Sequence, residues 1–369
     1  MNGKEVIYIY NETLCSECDR NPRIAGRATQ VHELIRAYGL LDKMTVHPSR
    51  PAYDEEINTF HSSSYIDFLK EINSSSDLEV HEDEAEQFGL NYDCPLVERL
   101  YDFVKAIAGS SISGAEAIVG GKAKVAINWF GGWHHAQRDQ ADGYCYVNDI
   151  VLAIHKLRQK YKKILYIDLD AHHGDGVENA FAFSPSVLTF SLHKYEPCFY
   201  PGTGNVKDVG YGQGRYYSVN IPLADGLRDF LFSYVFDSVM LKIWKTFNPE
   251  VIVVQCGADG LSGDPTNAFN LTLQGFAKCV KTILSWNLPT MFLGGGGYNH
   301  PNVARCWTYL TSLIVEQEIK SSIPDHEYFM DYGPDFELDI LPGCRKDNNS
   351  KESLDSIIQC VSDNLDYIG

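Results

Sequence analysis

Residues 164–176, ILYIDLDAHHGDG, join a short apolar run to a dense group of polar side chains. The apolar part, residues 164–167, is typical of a buried parallel strand. The polar residues that follow are Asp168, Asp170, His172, His173 and Asp175. Because ligand sites in open α/β sheets lie at the carboxyl ends of the strands, this stretch predicts an α/β fold with a functional site here.

The spacing of this group favours a metal site. In an extended chain, alternation places Asp168, Asp170 and His172 on the same side. Carboxylate oxygens and imidazole nitrogens suit Zn²⁺, and also Mn²⁺, Fe²⁺ or Co²⁺. A strand end with solvated acidic residues is the simpler interpretation. Five titratable side chains within eight residues form so dense a cluster that the metal site is favoured.

Three other apolar runs are predicted to be buried strands that end in chemically capable residues. They are residues 125–129 before His134 and His135, residues 251–255 before Asp259, and residues 289–293 before four glycines and Tyr298. Paired histidines in a Gly- and Trp-rich loop favour a functional role. If the strands lie side by side, their polar ends meet in one crevice.

The meeting of these ends predicts a hydrolytic site. Asp170, His172 and Asp259 would form a three-ligand metal site with one position left open for water. A metal lowers the pKa of such a bound water toward ~7. An imidazole can take the proton of that water, and Tyr298 can stabilise a tetrahedral oxyanion.

Apolar periodicity predicts further elements along the chain. The strands are residues 6–10 and 187–193, the helices are residues 26–38, 65–72, 97–119, 146–160 and 227–247, and residues 74–77 are a loop. Gly109 and Gly114 weaken the prediction of one unbroken helix over residues 97–119. His155 is expected on an exposed helix.

Composition bounds the domain organisation and the partners. The 369 residues are 44% hydrophobic and 22% charged, and without a low-complexity linker they predict one domain over residues 1–369. A net charge of −18 argues against direct nucleic-acid binding and suits a cationic partner.

Neither a signal peptide nor an apolar run of membrane-spanning length is found, so an intracellular protein is expected. The ten cysteines are expected to be reduced thiols, including the lone CxxC of Cys15 and Cys18.

The motifs INWFGGWHHA, GYCYVNDIVLAI, YIDLDAHHGDGVENAF, YPGTGNVKDVG, QCGAD and LGGGGYN resemble those of the class I zinc-dependent histone deacetylases, and the resemblance covers nearly the whole chain. The resemblance implies a single-domain arginase-like α/β fold with a mostly parallel eight-stranded sheet, flanked by helices. It implies zinc-dependent hydrolysis of acetyl-lysine side chains in histones or other proteins, with release of acetate. A nuclear or cytoplasmic regulator of chromatin and transcription is expected, with Fe²⁺ or Co²⁺ as possible alternatives to Zn²⁺. No oligomeric state is predicted.

The resemblance also assigns residues to roles. The zinc ligands match Asp170, His172 and Asp259, the paired histidines match His134 and His135, their carboxylate partners match Asp168 and Asp175, and the carbonyl-polarising tyrosine matches Tyr298. His135 is expected to be the principal general base and acid, and His134 mainly electrostatic. Structural K⁺ is expected at Asp168, Asp170, His172, Ser191 and Leu192, with a second ion at Phe181, Ser184, Val187 and Tyr217.

The substrate-binding positions implied by the resemblance are Asp93 at the rim, Gly143 with its carbonyl facing the substrate amide, and Tyr144, Tyr200 and Thr266 in the tunnel wall. Arg27 matches an arginine near an internal channel. Tyr144 and Tyr200 stand where the family has phenylalanines, and Thr266 stands where Leu or Met is expected. Because methylenes cannot satisfy a hydroxyl, a change of either tyrosine to phenylalanine is predicted to lower KM or leave it unchanged.

Two other functions stay open at this point. A ureohydrolase of the arginase type shares the DAHxD pattern, but its two-metal site needs carboxylates that Gly174 and Gly257 do not offer. A non-catalytic acyl-lysine reader could use the same pocket. The paired histidines and Tyr298 favour an enzyme over a reader.

Overall fold

Eight parallel strands form one sheet in this computed structural model, which describes residues 6–74, 78 and 81–368. The strands are β1 (Val6–Ile9), β2 (Thr45–His47), β3 (Val125–Asn128), β4 (Ile164–Asp168), β5 (Val187–Lys194), β6 (Ser218–Leu223), β7 (Val251–Gln255) and β8 (Thr290–Leu293). Their order is β2-β1-β3-β8-β7-β4-β5-β6, and every pairing is parallel. The expected α/β fold with an eight-stranded sheet is confirmed.

The helices that flank the sheet within the described residues are α1 (Glu12–Asp19), α2 (Arg27–Ala37), α3 (Asp54–Ile57), α4 (Ser63–Ser74), α5 (Glu82–Ala85), α6 (Leu100–Val119), α7 (Asp149–Leu157), α8 (Asp175–Phe181), α9 (Asp229–Phe247), α10 (Leu273–Ser285), α11 (His300–Ile314) and α12 (Lys351–Leu365). β1, β3, β4, β7 and β8 are buried along their whole length, as parallel strands covered on both faces are. Among the described residues, no helix combines the length and apolarity needed to cross a bilayer.

The four strand ends that carry the predicted chemistry are neighbours. β3, β8, β7 and β4 lie side by side in the middle of the sheet. Their last residues are also in register, because Asn128 and Gln255 both pair with Leu293, and Asp168 pairs with Gln255. The loops that leave these strands therefore start at the same edge of the sheet.

Two strands were missed by the sequence patterns, and both are edge strands. β2 has only three residues and is largely exposed, so it carries no apolar run. β6 contains Pro222, which argues against a central strand and is tolerated at an edge because one side needs no hydrogen-bond donor. Residues 75–77 of the predicted loop lie outside the described residues.

The helix predicted over residues 97–119 is confirmed as α6, which runs unbroken through Gly109 and Gly114. Gly109 is there for packing, since a Cβ at this position would lie 1.9 Å from the carbonyl oxygen of Arg50. The prediction of an exposed position for His155 was wrong. His155 lies on α7 but is half-buried. Its ring centroid is 5.8 Å from that of Phe181, so neighbouring α8 covers it.

Candidate active site

Asp170, His172 and Asp259 form a compact cluster at the sheet edge. Asp170 and His172 follow β4, and Asp259 follows β7, so pairing of these two strands brings the residues together. One ligand atom from each of the three lies within 4.8 Å of the others. His172 Nδ1 is 3.1 Å from Asp170 Oδ1 and 2.8 Å from Asp259 Oδ2. The metal site expected from the sequence is thus geometrically possible.

The surroundings of this cluster fit a divalent cation. Asp170 and Asp259 are fully buried, and the described residues provide no hydrogen bond to Asp259 Oδ2, although His172 Nδ1 lies 2.8 Å away. Burial and the charge of Asp170 raise the pKa of Asp259. Two buried carboxylates carry more negative charge than the one imidazole beside them can neutralise. Zn²⁺ binds this set of oxygen and nitrogen donors.

Neighbouring groups hold the two carboxylates in place. Asp170 Oδ2 accepts hydrogen bonds from Gln255 Nε2 at 2.8 Å and from the backbone nitrogen of Gly296 at 2.9 Å. Asp259 Oδ1 accepts one from the backbone nitrogen of Ala171 at 2.8 Å. These outer contacts orient the ligand oxygens before any ion binds.

His134 and His135 lie beside the cluster, each with its own carboxylate partner. His134 Nδ1 donates to Asp168 Oδ2 at 2.8 Å, and His135 Nδ1 donates to Asp175 Oδ1 at 2.7 Å. The two ring centroids are 4.0 Å apart. Because each Nδ1 is engaged, each Nε2 is the nitrogen available to a substrate.

The two imidazoles differ in charge preference. Burial opposes the charge on His134, but the charges of Asp168 and Asp170 outweigh it and raise its pKa to about 9. Burial, reinforced by the charge of His134, lowers the pKa of His135 to about 4. Near neutral pH His135 is therefore neutral and able to accept a proton, whereas His134 is cationic.

Tyr298 borders the same space as His135 and His172. It follows four glycines after β8, and two of them, Gly295 and Gly297, have φ values of 147° and 131° that other residues rarely adopt. Its backbone nitrogen donates to Asp264 Oδ2 at 2.7 Å. Burial, followed by the charges of Asp259 and Asp170, raises the pKa of the phenol, so the hydroxyl remains a neutral donor.

A cavity of about 510 Å³ joins these groups to the surface. Its lining includes His135, His172 and Tyr298 at the base and Asp93 at the rim, and its remaining lining residues are Arg23, Gly143, Tyr144, Tyr200, Pro265 and Thr266. All five predicted substrate-binding residues therefore border the same cavity as the catalytic candidates His135 and Tyr298.

A much smaller cavity of about 20 Å³ lies beneath the site. Arg27 is among its lining residues, and its buried guanidinium donates to the carbonyl oxygens of Gly295 and Gly297 at 3.0 and 2.8 Å. Trp133 also borders the space. Because one water needs ~10–15 Å³, this cavity holds only a very small group.

The two tyrosines of the wall differ from expectation and from each other. The Tyr200 hydroxyl donates to Asp142 Oδ1 at 2.6 Å, so it is already satisfied by the protein. For the Tyr144 hydroxyl, the described residues provide no hydrogen-bond partner. The prediction that a change to phenylalanine lowers KM or leaves it unchanged therefore has no physical reason at Tyr200, but it still has one at Tyr144.

The potassium candidates fall into two groups. Asp168 and Ser191 are paired across β4 and β5, and Leu192 comes next on β5. In the second group, Ser184 lies between Phe181, the end of α8, and Val187, the start of β5. Tyr217 is near these residues because its carbonyl oxygen accepts from Thr189 at 2.9 Å. Potassium binding itself remains a prediction.

Four residues with clear roles in positioning were missed by the sequence analysis. They are Gln255, which donates to the candidate ligand Asp170, Asp264, which accepts from the backbone of Tyr298, Asp142, which accepts from Tyr200, and Asp149, which accepts from the backbone nitrogens of Gly132 and Trp133 just before the histidine pair. Gln255 ends an apolar strand and could have been found from that position. The other three act through contacts between distant loops, which a linear pattern does not contain.

The sequence matches the histone deacetylase domain family over residues 21–314. It is 48% identical over 363 residues to histone deacetylase 8 of Xenopus tropicalis, covering 98% of each chain. It is 49% identical over 362 residues to histone deacetylase 8 of Danio rerio, covering 98% of this chain and 95% of the relative. Identity to human histone deacetylase 1 is 43% over 345 residues, covering 94% of this chain and 71% of the relative. The expected resemblance to the class I histone deacetylases is confirmed: the chain belongs to the histone deacetylase domain family.

Proposed function

We propose that this protein removes acetyl groups from lysine side chains of histones or other proteins by metal-dependent hydrolysis, releasing acetate. The observation that carries the proposal is the convergence of four strand ends on two adjoining cavities. His135, His172 and Tyr298 border the main cavity, and His134 and Asp170 border the smaller one. Asp259 completes the candidate metal cluster, each histidine of the pair has a carboxylate partner, and the described residues provide no hydrogen-bond partner for the Tyr298 hydroxyl. We infer one catalytic domain over residues 1–369.

The cavity suits an acyl-lysine side chain. Tyr144 and Tyr200 form walls along which the lysine methylenes would lie, and Thr266 adds a polar position. The Gly143 carbonyl would accept from the substrate amide N–H, and Asp93 at the rim would accept from the substrate backbone. A negative carboxylate at the rim and a net charge of −18 also suit the basic sequences around histone lysines.

Asp170, His172 and Asp259 would hold the ion, for which we propose Zn²⁺, with Fe²⁺ or Co²⁺ as alternatives. When bound, the ion supplies Lewis acidity to the substrate carbonyl and to the attacking water. The expected K⁺ ions would bind at the two groups described above and would stabilise the loops that carry these ligands.

The side chains of the pocket would move the protons. His135 Nε2 takes a proton from water as the water oxygen attacks the carbonyl carbon, and Asp175 stabilises the imidazolium that results. His135 then returns the proton to the lysine nitrogen as the C–N bond breaks. His134, whose Nδ1 is held by Asp168, would stabilise negative charge. Tyr298 donates a hydrogen bond to the carbonyl oxygen as it becomes an oxyanion.

The size of the lower cavity supports acetyl as the group removed. A space of about 20 Å³ near the reacting carbonyl accommodates a methyl group but not a long acyl chain. Arg27 lines this space and would attract the acetate that is released. We infer a nuclear or cytoplasmic location, where acetylated histones and other proteins are present.

The geometry argues against the ureohydrolase alternative. A Cβ at Gly174 would lie 2.1 Å from Asp168 Oδ2, and one at Gly257 would lie 1.9 Å from Asp170 Oδ2. These positions therefore leave no room for the carboxylates of a second metal site. Within the described residues, one three-ligand cluster is found.

Turnover of acetyl-lysine peptides tests the proposal. The purified protein would be assayed for acetate release from a histone-tail peptide, with acetylpolyamines and acetyl-free peptide in parallel. Release from the acetylated peptide is expected. Tight binding of the acetylated peptide without acetate release would instead identify a reader.

A further inference from the structure

We propose that Asp142 is a positioning residue of the substrate tunnel, which fixes the wall residue Tyr200 against the turn formed by residues 142–145. This inference rests on the proposed function, because Tyr200 and Gly143 matter only if the tunnel receives an acyl-lysine. It adds a residue that the family motifs did not point to.

The turn itself is tight and demanding. Asp142 and Cys145 exchange backbone hydrogen bonds of 3.0 and 2.7 Å, and the two residues between them are Gly143 with φ 49° and Tyr144 with φ 67°. Positive φ at both central positions is the type I′ arrangement, which a tyrosine seldom adopts. Surrounding contacts must therefore hold the turn in this shape.

Asp142 provides such a contact through its side chain. Its Oδ1 accepts the Tyr200 hydroxyl at 2.6 Å, which connects the turn to the loop after β5. Burial, followed by the charges of Asp175 and Asp142, raises the pKa of Tyr200, so the phenol keeps its proton and acts as the donor. A hydrogen bond from a neutral donor to a carboxylate is stronger than a hydrogen bond between two neutral groups.

The hydrogen bond lies beside the groups that would contact substrate. The Tyr200 ring is edge-on to His135 with 4.9 Å between ring centroids. A Cβ at Gly143 would lie 2.7 Å from the Tyr200 hydroxyl oxygen and 2.5 Å from the His135 ring, so these groups pack against the Gly143 backbone. Asp142 thereby sets both the tunnel wall and the position of the Gly143 carbonyl.

The consequence is an effect on substrate binding and not on the chemical step. Asp142 does not border the tunnel cavity and touches none of the proposed proton-transfer groups. Its loss frees the Tyr200 ring and the turn, which the substrate must then order when it binds. KM should rise while kcat changes little.

The test is a double-mutant cycle with Asp142→Ala, Tyr200→Phe and the double variant, assayed on an acetyl-lysine peptide. We expect KM to rise about three- to tenfold in each single variant, the range that one lost hydrogen bond gives, with kcat within about twofold. The double variant should be no worse than the poorer single variant, because both remove the same bond. Asp142→Asn keeps an acceptor oxygen, so its KM should lie much closer to the parent value than that of Asp142→Ala.

Asp139→Ala is the matched control, since it removes an exposed carboxylate from the same loop for which the described residues show no side-chain hydrogen bond. It should retain the parent KM. Affinity for a linear hydroxamate that fills the tunnel gives a second readout if a variant turns over too slowly. Parent values of KM and hydroxamate affinity in Asp142→Ala, or additive effects in the double variant, would overturn the inference. Failure of the parent protein to release acetate would instead overturn the proposed function.

Discussion

Replacement of Tyr298 by phenylalanine separates transition-state stabilisation from binding. The change removes one oxygen at a position that borders the main cavity and the smaller cavity beneath it. The backbone of Tyr298 is held independently, since its nitrogen donates to Asp264 at 2.7 Å. The ring of Tyr144 packs edge-on against it at 5.7 Å and would pack on phenylalanine equally well.

The size of the expected effects on stability and on kcat follows from the surroundings of the Tyr298 hydroxyl. Within the described residues it makes no hydrogen bond, so its removal leaves no buried partner unsatisfied and should change the free energy of unfolding by less than about 1 kcal/mol. In the transition state it would donate to an oxyanion, and loss of one such donor costs about 10²–10³ in rate, roughly 3–4 kcal/mol. We therefore expect kcat to fall by that factor with KM nearly unchanged.

The assay is steady-state acetate release from an acetyl-lysine peptide, with zinc content and thermal unfolding measured on the same samples. Tyr211→Phe is the matched control, because Tyr211 is exposed and lies outside the main cavity. Turnover by Tyr298→Phe within a few-fold of the parent would refute the role of the phenol. A fall in zinc content or melting temperature would show that the variant acts through structure.

Three other outcomes test the site and the fold around it. The last of them concerns His61, a buried residue whose Nε2 accepts from the backbone nitrogen of Asn148. His172→Ala should lose bound zinc and activity together, whereas His47→Ala on edge strand β2 should keep both; stoichiometric zinc in His172→Ala would exclude it as a ligand. Butyryl- and hexanoyl-lysine peptides should show kcat/KM at least about tenfold below that of the acetyl peptide, because the lower cavity is small; equal turnover would contradict this limit. Burial lowers the pKa of His61 from 6.5 to about 4, so its contribution to stability is complete above pH 6.5 and is lost as the pH falls toward 4, by up to roughly 3 kcal/mol. Denaturant unfolding at several pH values should therefore show a shallower decline for His61→Gln, and identical slopes would count against a buried neutral imidazole.

Sequence patterns predicted the centre of the fold well because its strands are buried on both faces. The runs that became β3, β4, β7 and β8 are continuous apolar segments, and the residues after them carry the candidate chemistry. Parallel pairing then brings those ends together without further information. The cluster of Asp170, His172 and Asp259 was predicted for this reason.

The parts that the sequence did not predict depend on contacts between distant segments. Gly109 looked like a helix breaker, but it is needed where residues 50–52 cross α6. Pro222 concealed an edge strand. The Tyr200 hydroxyl looked like an unfavourable group in an apolar tunnel until Asp142, 58 residues away, was found to accept its hydrogen bond.

Zinc titration of the metal-free protein tests the central claim most directly. Acetate release from an acetyl-lysine histone-tail peptide would be measured as Zn²⁺ is added back to chelator-treated protein. The rate should rise from near zero and reach its limit at one equivalent of zinc per chain, because Asp170, His172 and Asp259 are proposed to form one site. Full activity without metal, no activity at any zinc level, or a rate that continues to rise up to two equivalents would contradict the claim that this chain is a deacetylase with one zinc site.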